Sequence, residues 1–165
     1  AAQMVEVPYP GGPLIDTYAQ LGNPMAFPFK RRHVKDYNFS FSGLKTAILY
    51  FLREKVQHNP DFIKENLHDI CASIQHTIVE TLIRKVEKAS KDLNIKEVAI
   101  AGGVSANSEL RKRFLMKEQE GWKVHIPKFA YCTDNGAMIA MAGQFMYEAR
   151  EFGHLKSTPN PRMKF

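Results

Sequence analysis

Apolar residues recur at three- and four-residue intervals along several stretches of the chain. Each such stretch predicts a helix with one face turned inward. Leu14, Ile15, Tyr18 and Leu21 mark the first, which Gly22-Asn23-Pro24 closes. Leu44, Ala47, Ile48, Phe51 and Leu52 mark a second, running from about Gly43 to Gln57 with Ser42 as its expected cap. Asn59-Pro60-Asp61 opens a long helical region with an expected interruption near Leu67 to Asp69. In its strongest stretch Ile70, Ile74, Ile78, Leu82, Val86 and Ala89 repeat, and Asn94 is the expected stop.

The period then changes. Glu97-Val98-Ala99-Ile100-Ala101 is a short apolar run that ends at Gly102-Gly103 and reads as a buried strand. Val104-Ser105-Ala106-Asn107 leads into a helix to about Lys117, and Lys123 to Pro127 reads as a second strand. A last helix is expected from about Ala137 to Glu151, followed by a tail from Lys156 to Phe165. Earlier, Tyr9-Pro10-Gly11-Gly12-Pro13 reads as a tight turn, and the Phe-Ser alternation at Asn38 to Gly43 as a short extended piece. Strand, helix, strand, helix is an α/β pattern with parallel strands. Two or three strands are few for so much helix. Either the domain is helix-dominated, or its other strands lie outside this chain.

Composition changes this picture little. The 165 residues are 44% hydrophobic and 24% charged, enough to bury a core. The formal charge of +6 fits RNA or a nucleotide without requiring either. Cys71 and Cys132 share no metal-ligand spacing, which favours a reducing compartment. No signal peptide or membrane-spanning run is visible, so a cytoplasmic location is expected.

Four segments could carry chemistry. In Ala99 to Asn107, a strand ending in two glycines brings bare backbone and a helix N-terminus to a ligand, with Asn107 able to bond a ribose or phosphate. The alternative is a plain turn with Asn107 as cap or surface residue. In Cys132-Thr133-Asp134-Asn135-Gly136, Asp134 could hold a divalent metal, or it could cap the helix that follows. Gly11, Gly12 and Asp16 could face a substrate, or belong to a loop with Asp16 solvated. The segment from Phe27 to Thr46 mixes aromatics with Lys30, Arg31, Arg32 and His33 and could bind nucleic acid, or be a solvated face over buried phenylalanines. HExxH, GxSxG and Walker-loop patterns are absent, and no residue stands out as catalytic.

Taken together, Tyr9-Pro10-Gly11-Gly12-Pro13 with Asp16, Phe39-Ser40-Phe41-Ser42-Gly43-Leu44-Lys45-Thr46, Ala101-Gly102-Gly103-Val104-Ser105-Ala106-Asn107 with Leu110-Arg111, and Cys132 to Ala140 resemble, in this order, the TsaD family of tRNA threonylcarbamoyl-adenosine synthases. The resemblance covers nearly the whole chain. It implies an actin-like ATPase fold, related to sugar kinases, Hsp70 and ribonuclease H, with two lobes. Residues 1–165 would be a partial domain, the helix-rich C-terminal lobe, without the N-terminal lobe. The implied activity transfers threonylcarbamoyl from its adenylate to an adenosine beside the tRNA anticodon. Gly12, Asp16 and Asn107 would contact the substrate nucleotide. Asp134 would be one ligand of a divalent metal, iron or zinc-like, and Lys30, Arg31 and Arg32 would be possible tRNA contacts. Implied partners are tRNA, threonylcarbamoyl adenylate or ATP, and TsaB-like and TsaE-like proteins. The family's HxxxH metal motif does not occur here, so the chain alone is expected to bind no metal and to be inactive. Two rivals stand beside this reading: another actin-like carbamoyltransferase or kinase, and a non-catalytic scaffold paralogue.

Overall fold

The structure is a computed structural model and describes residues 2–30 and 34–159. Its spine is one long helix. We label the helices α1 (Gly11–Ala19), α2 (Phe41–His58), α3 (Phe62–Glu65), α4 (Leu67–Leu93), α5 (Ser108–Met116) and α6 (Gly136–Glu148), and the strands β1 (Glu97–Ala99) and β2 (Lys123–His125). At 27 residues, α4 extends about 40 Å. It serves two separate cores. Around its first half, Ile70, Cys71 and Ile74 pack with Leu44, Ile48 and Leu52 of α2 and with Val5 and Val7. Around its second half, Val79 and Ile83 pack with Leu110 and Phe114 of α5, with Val98 and Val124 of the strands at the edge of the cluster. The first half is enclosed on nearly all sides, so residues 70–75 are all buried, Ser73 and Gln75 among them. A single apolar stripe does not predict that.

The helix boundaries follow local chemistry. Asn94 stops α4 in the left-handed conformation, φ 53°, where asparagine is tolerated. The interruption before α4 falls at Asn66, one residue ahead of the expected Leu67 to Asp69. Three boundaries differ more. Helix α6 ends at Glu148, three residues before the expected Glu151, and Arg150 just beyond it takes a left-handed φ of 56°. Helix α1 begins at Gly11, so the Tyr9 to Pro13 turn is partly its first turn. Helix α2 begins at Phe41 with Ser40 as N-cap, so the Phe-Ser alternation is not a strand. Instead Phe39 and Phe41 stack on each other, ring planes 13° apart.

The strands pair in parallel with Glu97 opposite Lys123, Val98 opposite Val124 and Ala99 opposite His125. They are short, and only the central valine of each points to the core; their outer residues are exposed. The expected buried strand is therefore a half-exposed one. Among the described residues the two strands have no further neighbour, so the alanine-rich run 97–101 lacks the second covering layer its composition anticipates. The described chain is thus helix-rich α/β with a small parallel sheet. No described helix is long and apolar enough to cross a membrane.

An ion-pair cluster joins the second half of α4 to α5. Arg84 Nε donates to Glu80 at 2.6 Å, and Arg113 Nη2 reaches the other carboxylate oxygen at 2.7 Å. These bonds, Arg84 first and Arg113 next, hold Glu80 down at about 2. An acid depressed in the folded state stabilises it above its unfolded pKa near 4.5, and that stability disappears as pH falls toward 2. With Arg84 well exposed, the contribution at neutral pH is about 2 kcal/mol, below what the full shift would give. Glu80→Gln should therefore lower the melting temperature at pH 7, and the gap to wild type should close below pH 3 in a thermal-melt series. A constant gap across that range would refute the ion-pair account.

Candidate nucleotide shelf

Three helices meet where the sequence places its candidate residues. Asp16 lies on the sixth position of α1, half-buried, and its carboxylate reaches the start of α5. There Oδ2 accepts the Ser108 amide at 2.9 Å, while Oδ1 accepts the Ser108 hydroxyl at 2.7 Å and Asn107 Nδ2 at 3.2 Å. A carboxylate at a helix N-terminus meets unpaired amides and the positive end of the helix dipole. Asp16 is therefore structural in this state, not solvated.

Asn107 is the centre of the network. Its Oδ1 accepts the Leu110 amide at 2.9 Å and so caps α5. Its Nδ2 donates to Asp16 and to Gln75 Oε1, the latter at 2.9 Å. One amide thus joins α1, α4 and α5, and the cap role is realised. Gln75 and Ser108 complete this network and were not legible from motif spacing. The available signal for Gln75 was a polar residue beside the apolar stripe Ile70, Ile74, Ile78.

The two glycines of the first turn have different reasons to be glycine. A side-chain carbon on Gly11 would lie 2.2 Å from the Ala2 side chain, so Gly11 is required by packing. One on Gly12 would meet nothing within 4 Å. Gly12 is exposed, one helical turn before Asp16, and open space lies over its backbone. In the second turn Gly102 takes φ 80°, which favours glycine, and the Ser105 hydroxyl donates to its carbonyl at 2.7 Å.

The Asp134 loop lies against that second turn. A side-chain carbon on Gly103 would sit 4.0 Å from Thr133 Cγ2. Asp134 is exposed, and it is not the helix cap: Asn135 Oδ1 accepts the Met138 amide at 3.2 Å and starts α6. Among the described residues no three His, Cys, Asp or Glu side chains converge on one point. A lone carboxylate falls short of the several oxygen ligands a divalent ion needs, so these residues by themselves do not fit a metal. The cleft between α1, α4 and α5, lined by Gln20, Gln75, His76, Ser108, Glu109 and Lys112, holds only about 230 Å³. This is a shelf, open on one side.

Phe27 and Phe29 pack in an aromatic cluster with Phe51 and Phe62, ring centres 5.3 to 6.0 Å apart, so these rings serve the core and not base stacking. Lys30 is exposed; Arg31, Arg32 and His33 lie outside the described residues. The segment that follows is fastened to α4. Lys85 Nζ donates to the Val34 carbonyl at 2.7 Å, and the Tyr37 hydroxyl donates to Asp92 at 2.9 Å. Cys71 and Cys132 are both buried, free thiols, and burial pushes Cys71 up to about 11.

Comparison with known proteins agrees with the motif resemblance. The family model for TsaD, tRNA N6-adenosine threonylcarbamoyltransferase, matches residues 1–141. Proteins of that name from Cytophaga hutchinsonii and Christiangramia forsetii are 54% and 52% identical to the chain over 164 and 166 residues. These alignments cover 99% and 100% of this chain, and 48% and 49% of the relatives. A third relative, from Riemerella anatipestifer, is 50% identical over 97% of this chain and 47% of its own length. The chain therefore spans about half the length of the curated relatives it matches.

Proposed function

The chain belongs to the TsaD family of tRNA N6-adenosine threonylcarbamoyltransferases, and on that premise we propose that it is the nucleotide-holding half of an enzyme that transfers threonylcarbamoyl from its adenylate to N6 of a tRNA adenosine. The observation that carries this reading is the bond between Asp16 and Asn107 where α1 meets α5, with Gly12 exposed one turn before Asp16 and the Gly103 backbone near Thr133 of the Asp134 loop. Bare backbone at Gly12 and Gly102 admits close approach of a ligand, and the half-buried Asp16 carboxylate can accept from ribose hydroxyls.

In this reading Asp16 and Asn107 bind the adenylate and fix its orientation. Both are already held by α1, α4 and α5, which lowers the cost of ordering them when substrate arrives. The tRNA amine attacks the carbamoyl carbon, its proton is lost, and AMP departs with the electrons of the broken carbon–oxygen bond. Asp134 would be one ligand of a divalent ion whose other ligands come from elsewhere in the protein, and the chemistry such an ion would supply is stabilisation of negative charge. Lys30, Arg31 and Arg32 form a basic margin for the tRNA backbone. The shelf is the C-terminal lobe of a two-lobed actin-like fold, and TsaB-like and TsaE-like proteins are its partners.

The test is nucleoside mass spectrometry on tRNA incubated with the full-length protein, its partners, ATP, threonine and bicarbonate. Appearance of threonylcarbamoyl-adenosine is the expected result. ATP consumption with unmodified tRNA would instead favour another actin-like carbamoyltransferase or kinase.

A further inference from the structure

We propose that Arg111 is a positioning residue: its guanidinium sets the distance between the Gly102 to Asn107 turn and the Asp134 loop, so that Asn107 and Asp134 address the same bound nucleotide. The proposal rests on the functional reading above and adds a role that the shelf's own contacts do not need.

Arg111 projects from α5, one helical turn after its cap Asn107. Its three hydrogen bonds end on three separate segments. Nη1 donates to the Ser105 carbonyl at 3.0 Å, at the closing end of the glycine turn. Nη2 donates to the Pro127 carbonyl at 3.0 Å, just beyond β2. Nη1 also approaches Cys132 Sγ at 3.8 Å, at the root of the Asp134 loop. The anchors are firm: Ser105 is 1% exposed and Cys132 2%. These partners are two carbonyls and a thiol. The bonds therefore fix geometry and do not neutralise charge. A planar fork can hold two carbonyls on different segments at once, whereas a lysine ammonium is a single compact point on a flexible stem. One turn of α5 thus carries both a ligand-facing residue and the strut that sets its distance from the next.

Arg111→Lys in the full-length protein is the test, because it keeps the cation and most of the stem. Three readings are taken: the melting temperature, the rate at which iodoacetamide alkylates Cys132 by peptide mass spectrometry, and ATP affinity by calorimetry. Cys71, fully buried, is the internal reference that should stay unreacted. Since the positive charge remains near the sulfur, a faster rate at Cys132 reports exposure and not a changed thiol acidity. Losing one charged hydrogen bond predicts about a tenfold faster alkylation and about tenfold weaker ATP binding. In turnover, KM for the adenylate should rise while KM for tRNA stays put, a split that a general loss of stability would not produce.

Unchanged alkylation in a folded variant overturns the strut. Faster alkylation with unchanged ATP affinity overturns the positioning role. If wild type itself binds no ATP, the functional reading fails instead, and that case is recognised because wild type and variant are both blank.

Discussion

On the role proposed for Asp134 as one ligand of a divalent metal, replacing it with alanine in the full-length protein should reduce threonylcarbamoyl-adenosine formation at least about a hundredfold, since even groups one step removed from a metal ligand cost 10–100-fold when changed. The fold should hardly notice. Asp134 is exposed, and the cap of α6 is its neighbour Asn135. Surface changes away from caps and cores alter stability by about 0.5 kcal/mol or less. Initial rates by nucleoside mass spectrometry, with melting temperatures alongside, check both halves of the statement. The scaffold-paralogue reading makes the opposite forecast: Asp134→Ala would leave activity intact, since a scaffold needs no metal. A large fall in melting temperature would also count against the assignment, because it would give Asp134 the structural job that the geometry gives to Asn135.

Gly22→Ala should be the most destabilising alanine substitution among the glycines whose surroundings the structure describes. A side-chain carbon there would lie 2.1 Å from the His68 carbonyl oxygen, 2.3 Å from its carbon and 2.7 Å from the Asp69 nitrogen. These are backbone atoms in the first turn of α4, so no side chain can swing away. The chain leaving α1 is also laced to the first two turns of α4. The Asn23 amide donates to Asp69 at 2.7 Å, and the Phe27 amide donates to Ser73 Oγ at 3.1 Å. Overpacking of this kind costs about 3 kcal/mol at the upper end of the usual range. For a chain of this size that is a fall of about 6–12 °C in melting temperature. Gly12→Ala is the matched control: it meets open space in a helix and should leave stability equal or slightly higher. A Gly22→Ala protein that melts with wild type would show that the α1–α4 junction is looser than described.

The helical half of this fold was legible because periodicity and stop signals are local. The stripe from Ile70 to Val86 and the stop at Asn94 needed no knowledge of the rest of the chain. The misreadings have a common cause, which is that burial is decided at a distance. Val98 to Ala101 looked like a strand covered on both faces, but the described structure covers one. Phe27 and Phe29 looked free to stack on bases until α2 and α3 supplied Phe51 and Phe62. The candidate site divided the same way. Motif order pointed to Gly12, Asp16, Asn107 and Asp134, yet the bond from Asn107 to Asp16 spans 91 positions and the one from Asn107 to Gln75 spans 32. No local rule anticipates such pairs, so Gln75 and Ser108 came only from the structure. The competing cap role offered for Asp134 belonged to the next residue, within the ordinary uncertainty of where a helix begins.

Cys132 is the last buried residue of the described chain; from Thr133 to Pro159 no side chain is fully enclosed. Mechanically, Asp134 is then a point two links past a fixed pivot, at the root of a rod of 13 residues none of which is buried among the described residues. Whatever grips α6 acquires leverage over the carboxylate: a small rotation of the rod turns the two links between, while the pivot and the shelf behind it stay still. The arrangement separates what must be rigid from what can be steered, and it places the exposed Asp134 carboxylate on the steerable side.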